Sequence, residues 1–151
     1  MQNNLAAFER LINIMNELRA KCPWDQKQTL QSLSNLTIEE VYELTDAILN
    51  NDYEEIAGEL GDLFLHLVFY AKIGTELEKF TLESILNRVC DKLIERHPHI
   101  YGETVANDEE EVKKNWEKIK LQSGKKSVLQ GVPLALPALV KAYRIQSKVA
   151  G

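Results

Sequence analysis

The sequence lacks the features that would place it at a membrane or outside the cell. None of its apolar runs approaches the roughly 20 residues of a membrane-spanning helix, and its first residues lack the basic start of a secretory signal. It has only 2 cysteines, Cys22 and Cys90, which form neither a CxxC pair nor a disulfide framework. Because unpaired thiols suit a reducing compartment, we predict a cytoplasmic protein that does not associate with membranes.

Alternating strand patterns and hairpin turn signals are also missing. Apolar residues instead recur at spacings of three and four, which predicts an all-α fold, a helix bundle. Five helices are predicted, over residues 3–20, 37–49, 53–73, 82–96 and 108–122. Thr37 and Thr81 are predicted to cap the second and fourth helices, and Gly74 to end the third. A break at residues 123–127 separates a domain at 1–122 from 123–151, a C-terminal extension or the start of an interdomain linker.

Basic residues are absent between positions 28 and 71, although the chain has 18 Lys and Arg in total. That stretch holds nine acids: Glu39, Glu40, Glu43, Asp46, Asp52, Glu54, Glu55, Glu59 and Asp62. After Val112 the balance reverses and basic residues dominate. This distribution argues against binding to a nucleic acid duplex, which needs a broad basic face. It suits a site where acids hold cations and bases hold phosphates, or simply two solvated helix faces of opposite sign.

Five of these acids fall on two helix faces. Glu39, Glu40 and Glu43 lie within about 100° of arc on the second helix, and Glu59 and Asp62 share a face of the third. The short connection predicts that the two helices are antiparallel neighbours, which brings both acidic faces together. With no Lys or Arg nearby to pair them, a divalent cation would relieve their repulsion. Mg²⁺ is the usual cation where a phosphorylated substrate completes the coordination.

Two other interpretations compete with the Mg²⁺ site. The acids are solvent-facing in the first, since Glu favours helices. The second is a di-iron bundle, which needs Glu-x-x-His pairs that this sequence does not contain. His66, one turn after Asp62, is either a core residue or a group that approaches the acids.

The motif around these acids resembles that of a known family. Residues 39–43 (Glu-Glu-Val-Tyr-Glu) and 59–62 (Glu-Leu-Gly-Asp) are similar to the EExxE…ExxD pattern of MazG nucleoside triphosphate pyrophosphohydrolases. Residues 22–26, 96–102 and 128–139 resemble three further MazG segments, in the same order. The chain thus looks like a single MazG domain, similar to the N-terminal domain of two-domain members, and the resemblance implies an all-α fold.

The resemblance implies Mg²⁺-dependent hydrolysis of a nucleoside triphosphate to the monophosphate and pyrophosphate, with Mn²⁺ as a substitute metal, and clearance of non-standard nucleotides. The metal ligands it implies are Glu40, Glu43, Glu59 and Asp62. Glu39 would be a further ligand or the catalytic group that orients the attacking water. The alternative is a catalytically weak nucleotide-binding or dimerisation module, because the first domain of some two-domain members is not the active one.

Substrate contacts and self-association are further expectations. Lys92 and Arg96, four apart on one helix, are predicted to hold phosphates, and Lys120 and Trp116 to bind phosphate and base. The alternative roles are a surface lysine for Lys92 and a packing anchor for Trp116. The third helix is apolar nearly all round between residues 60 and 73, which predicts a homo-oligomer, either a dimer or a tetramer.

Overall fold

The computed structural model describes residues 2–102, 108, 111, 112, 115, 119, 132, 133 and 135–150. Its helices are α1 (Gln2–Lys21), α2 (Pro23–Lys27), α3 (Leu30–Asn50), α4 (Tyr53–Glu76), α5 (Leu82–Arg96), α6 (Pro98–Tyr101) and α7 (Ala138–Ala150). The described residues include no strand, which confirms the all-α prediction. Positions 111, 112, 115 and 119 are helical, and the rest of the predicted fifth helix lies outside the described residues apart from position 108.

The chain divides into two compact units, Met1–Leu86 and Asn87–Gly151, and the boundary between them falls within α5. In the first unit α3 packs along α4, and α1 packs on α4 and α2. The apolar core of this unit consists of Met15, Leu33, Val68, Phe69 and Ile73. No helix in the described part of the chain is both long enough and apolar enough to cross a membrane.

A tight turn joins α3 to α4. Asn51 ends α3 in the left-handed conformation with φ 56°, which asparagine tolerates better than most residues. The Asp52 carboxylate then accepts hydrogen bonds from the backbone N–H groups of Glu54 and Glu55 and so caps α4. Because only Asn51 and Asp52 connect them, the two helices are antiparallel, as predicted.

The predicted start of the second helix is wrong. Helix α3 begins at Leu30, and its cap is Thr29, whose side chain forms a reciprocal capping box with Ser32. Thr37 instead lies inside α3, where its hydroxyl donates to the carbonyl of Leu33. Residues 22–35, which lie between the first two predicted helices, contain α2 and the first turn of α3. Both Thr-x-x-polar patterns fit a capping box, and the structure uses the earlier one, so that Leu33 lies within α3 and in the core.

The role predicted for Gly74 is also wrong, because α4 continues past it to Glu76. Gly74 is buried, and a Cβ atom at this position would lie 2.1 Å from the Phe80 ring. The glycine therefore allows Phe80 to pack against α4. The cap predicted for the next helix is confirmed, because the Thr81 hydroxyl accepts a hydrogen bond from the backbone N–H of Ser84.

Arg19 joins α1 to the segments around it. Its guanidinium group donates to the backbone carbonyls of Asp25 and Gln28 and forms an ion pair with Glu76 at 2.9 Å. It also lies over the Phe69 ring, 5.7 Å from the centroid. These contacts attach the turn around α2 to the C-terminal end of α4 and close one end of the core.

Candidate active site

Three carboxylates converge where α3 faces α4. Glu40 and Glu43 lie one turn apart on α3, and Glu59 reaches them from α4. Each offers one oxygen, and these three oxygens all lie within 4.8 Å of one another. Glu40 and Glu59 are half-buried, whereas Glu43 is exposed. We call these three residues the carboxylate cluster.

Burial and mutual repulsion raise the pKa values of two members of the cluster. Burial is the largest cause for Glu40, followed by the charges of Asp62 and Glu43, and its pKa lies above the ordinary 4.5. For Glu59 burial again comes first, followed by the charges of Glu43 and Glu40. A hydrogen bond between the carboxyl groups of Glu40 and Glu59 raises the pKa of Glu59 further and opposes the rise at Glu40. Without a cation, burial and like charge therefore both oppose ionisation of these two groups.

The two remaining predicted acids lie beside the cluster. Asp62 and Glu39 are both exposed, and the charge of each raises the pKa of Glu40. Neither residue contributes an oxygen to the group of three that lie within 4.8 Å of one another. The structure thus brings together three of the five acids that the sequence singles out and leaves two at the edge.

No basic side chain neutralises the cluster in the part of the chain that the structure describes. The ion pairs found there join Arg19 to Glu76, Lys21 to Glu17 and Lys72 to Glu76. One oxygen of Glu59, Oε2, is buried and has no hydrogen-bond partner among the described residues. Converging carboxylate oxygens of this kind fit a hard divalent cation, which prefers oxygen ligands.

An acidic groove extends from the cluster toward the turn between α3 and α4. Its volume is about 320 Å³. It is lined by Glu43, Asp46, Ala47, Asn50, Asp52, Glu55 and Glu59, which include no basic residue. Because like charges repel, a triphosphate would approach this groove only with cations to neutralise the acids.

The structure describes two of the four predicted substrate-binding residues. Lys92 is exposed on α5 and Arg96 is half-buried at the end of the same helix, both in the second unit. Trp116 and Lys120 lie outside the described residues. His66 is buried and its Nδ1 lies 3.1 Å from the Thr37 hydroxyl, so it is a hydrogen-bonded core residue and not part of the carboxylate cluster.

Helices α3 and α4 also carry apolar side chains that face away from the core. The exposed apolar residues of the two helices are Ile38, Val41, Tyr42, Ile48, Leu49, Tyr53, Leu60, Phe64 and Leu67. We call this set the outward stripe. Its members recur at spacings of three, four and seven, which is typical of a helix surface that packs against other helices.

Comparison with family models gives a match to part of the chain. Residues 28–101 match the model of the MazG nucleotide pyrophosphohydrolase domain. This range contains the carboxylate cluster, Asp62, Lys92 and Arg96. It also includes the turn between α3 and α4 and the acidic groove.

Two relatives are similar over most of this chain. A nucleoside triphosphate pyrophosphohydrolase of Escherichia coli strain K12 is 40% identical over 150 residues, which cover 95% of this chain and 57% of that protein. The nucleoside triphosphate pyrophosphohydrolase/pyrophosphatase MazG of Thermotoga maritima is 42% identical over 144 residues, covering 92% of this chain and 55% of that protein. The chain therefore spans little more than half the length of these relatives.

A solved structure has a similar fold. The crystal structure of a mazG-related protein from Thermotoga maritima matches with a TM-score of 0.67 and 29% sequence identity. The match covers 75% of this chain and 98% of that chain. The likeness agrees with the all-α architecture of the described residues.

Proposed function

Because this chain belongs to the MazG nucleotide pyrophosphohydrolase family, we propose that it hydrolyses a nucleoside triphosphate to the monophosphate and pyrophosphate with Mg²⁺ as cofactor. The observation that carries the proposal is the carboxylate cluster, whose three oxygens lie within 4.8 Å of one another with no cationic side chain among the described residues. Such an arrangement is costly for a fold unless a cation binds there.

Each acid has a distinct role in this proposal. The cluster supplies three of the metal ligands, and Asp62, whose charge acts on Glu40, supplies the fourth. Mg²⁺ held by these residues, or Mn²⁺ in its place, would neutralise phosphate charge and make a bound water more acidic. Glu39 lies beside the cluster and remains exposed, so it can orient the attacking water and accept its proton.

The phosphate contacts come from α5 in this proposal. Arg96 presents a planar fork to two phosphate oxygens, whereas Lys92 acts as a point charge. Titration calorimetry with a non-hydrolysable triphosphate should therefore show weaker binding for Arg96→Ala than for Lys92→Ala. We expect a loss of about ten- to a hundredfold for Arg96→Ala. The control is Lys79→Ala, outside α5. Unchanged affinity in both α5 variants would contradict these contacts, and the roles of Trp116 and Lys120 stay predictions.

The outward stripe supports the proposal of a homo-oligomer, a dimer or a tetramer. Its nine exposed apolar residues, at helical spacings on two neighbouring helices, favour an interface with another chain. Light scattering at micromolar concentration should give the mass of at least two chains. Phe64→Asp, in the stripe, should reduce that mass, whereas Leu5→Asp, an exposed apolar position on α1, should not. The mass of a single chain for the wild type would contradict the proposal.

The activity is tested by identifying the products of a panel of standard and non-standard nucleoside triphosphates. Pyrophosphate and monophosphate that appear only with Mg²⁺ or Mn²⁺ are the expected result, and preference for a non-standard base would support a clearance role. Release of single phosphates would contradict the proposed reaction. Nucleotide binding without turnover would favour the alternative, a weak binding or dimerisation module of a longer protein, since the chain spans only 57% of its E. coli relative.

Two further proposals concern organisation and location. We place the catalytic domain at residues 1–122 and regard 123–151 as an extension or the start of a linker. Cytoplasmic residence is favoured because Cys22 and Cys90 are both free thiols.

A further inference from the structure

A group of three polar side chains lies next to the carboxylate cluster on the α3–α4 contact. The Thr37 hydroxyl oxygen on α3 is 2.7 Å from the Tyr70 hydroxyl and 3.1 Å from Nδ1 of His66, both on α4. It is also 2.9 Å from the carbonyl oxygen of Leu33. We call Thr37, His66 and Tyr70 the hydroxyl hub. Sequence patterns do not reveal it, because its three members are separated by 29 and 33 positions.

The Thr37 hydroxyl has polar partners on both helices. A hydroxyl has one proton to donate and two lone pairs that accept. The Leu33 carbonyl can only accept, whereas the direction of the contacts with Tyr70 and His66 depends on the orientation of the hydroxyl groups and on the tautomer of the imidazole. In every such arrangement the hydroxyl makes at least one directional contact from α3 to α4.

The hub and the cluster are neighbours along both helices. Thr37 precedes Glu40 by three residues, about 4.5 Å along the axis of α3. His66 follows Asp62 by four residues and Glu59 by seven, so these side chains share one face of α4. Glu40 and Glu59 share a hydrogen bond only while one of them is protonated, and as carboxylates they repel one another. The hub joins α3 to α4 through side chains other than these acids, on the side of the cluster away from the turn.

We propose that Thr37 is a positioning residue, whose hydroxyl fixes α3 against α4 so that the carboxylate cluster is held ready for the metal. This inference rests on the proposed metal-dependent function. Apolar packing tolerates small sliding of one helix over another, whereas hydrogen bonds on one oxygen from two side chains do not. Such precision suits Mg²⁺, which requires near-ideal octahedral geometry.

The test measures the affinity of the full chain for Mg²⁺ alone, and separately for Mn²⁺, by titration calorimetry. Thr37→Val keeps the shape of the side chain but removes the hydroxyl, and it should weaken metal binding by about tenfold, the lower end of the effect of outer-shell groups. Thr37→Ser restores the hydroxyl and should restore affinity to within about twofold of wild type. Tyr70→Phe removes one donor and should fall between these two variants.

The matched control is Thr45→Val. Thr45 also lies on α3, and its hydroxyl likewise donates to the carbonyl four residues earlier, that of Val41, at 2.7 Å. It has no partner on α4 among the described residues, so its loss should leave metal affinity unchanged. Thermal unfolding of every variant establishes that the protein titrated is folded.

The outcomes separate the inference from the function on which it rests. Wild-type affinity in folded Thr37→Val and Tyr70→Phe would overturn the positioning role, even if both variants melt at lower temperature. Failure of Thr37→Ser to restore affinity would also overturn it, because packing of the methyl group would then be responsible. If Thr37→Val does not fold, Tyr70→Phe decides alone. Absence of metal binding by the wild type would overturn the proposed function and the inference together.

Discussion

The contact between α3 and α4 has two ends with opposite character. At the end away from the turn, Leu33 and Phe69 are fully buried and the hydroxyl hub links the two helices. At the end near the turn, the carboxylate cluster gathers negative charge, and a buried oxygen of Glu59 has no partner among the described residues. The same two helices thus contain a region that stabilises the fold and a region that destabilises it.

The contrast indicates where function lies. Uncompensated carboxylates persist in a fold only when surrounding contacts hold them and a ligand relieves their repulsion. The packed end supplies those contacts through the apolar core and Arg19, which joins α1 to the end of α4. The acidic end is left free to bind a cation.

The largest effect on stability is expected from removing a buried side chain at the packed end. Phe69 is 2% exposed and lies beneath the Arg19 guanidinium. Phe69→Ala should lower the free energy of unfolding by about 3–5 kcal/mol, because it removes a buried ring and leaves a cavity. Urea denaturation measures this value. A loss below about 1 kcal/mol would mean that the packed end does not carry the stability assigned to it.

Replacing a carboxylate of the acidic end by an amide should abolish activity while the fold is retained. Glu43→Gln removes a negative ligand at constant size and should reduce Mg²⁺-dependent turnover by at least about 100-fold, or 2.7 kcal/mol. Asp62→Asn should behave in the same way as the fourth proposed ligand. Glu54→Gln, an exposed acid at the start of α4, is the control and should retain the wild-type rate. Near-normal turnover in Glu43→Gln would contradict the metal assignment.

A smaller effect is expected from pH in the absence of metal. The pKa values of Glu40 and Glu59 are raised in the folded state, so both groups stabilise the fold fully below 4.5 and lose that contribution as pH rises through the raised values. With chelator present, Glu59→Gln should therefore be more stable than wild type at neutral pH. This advantage should shrink as the pH is lowered toward 4.5.

Thermal unfolding of both proteins across that pH range provides the measurement. Their difference removes the contribution of the acids that do not interact with Glu59, because those acids titrate alike in the two chains. A difference that does not change with pH would show that repulsion within the cluster is not its cause.

Much of the site follows from sequence alone, because its geometry is local. Acids three residues apart share a helix face, and a two-residue turn forces the next helix to run back alongside. These two facts bring Glu40 and Glu43 to Glu59. The same reasoning places Asp62 on the correct face, but it does not determine that Asp62 and Glu39 lie at the edge of the cluster.

Other features depend on tertiary packing and were not predictable. Helix α3 has two apolar stripes, one with Leu33 and Ala47 and one with Val41 and Tyr42, and periodicity does not say which faces the core. The hydroxyl hub depends on how α3 and α4 are aligned along one another. The sequence pattern of either helix alone does not determine that alignment. The start of α3 was missed because two capping patterns compete in the sequence.

The most direct test of this contrast compares the thermal stability of wild type and Glu43→Gln with and without Mg²⁺. Without metal the variant should melt at the higher temperature, because one repelling charge is gone. Mg²⁺ at about 100 times its dissociation constant should stabilise the wild type by about 2.7 kcal/mol and the variant much less, so that the order reverses. The same order in both conditions, or equal stabilisation by Mg²⁺, would contradict the assignment of the cluster as the metal site.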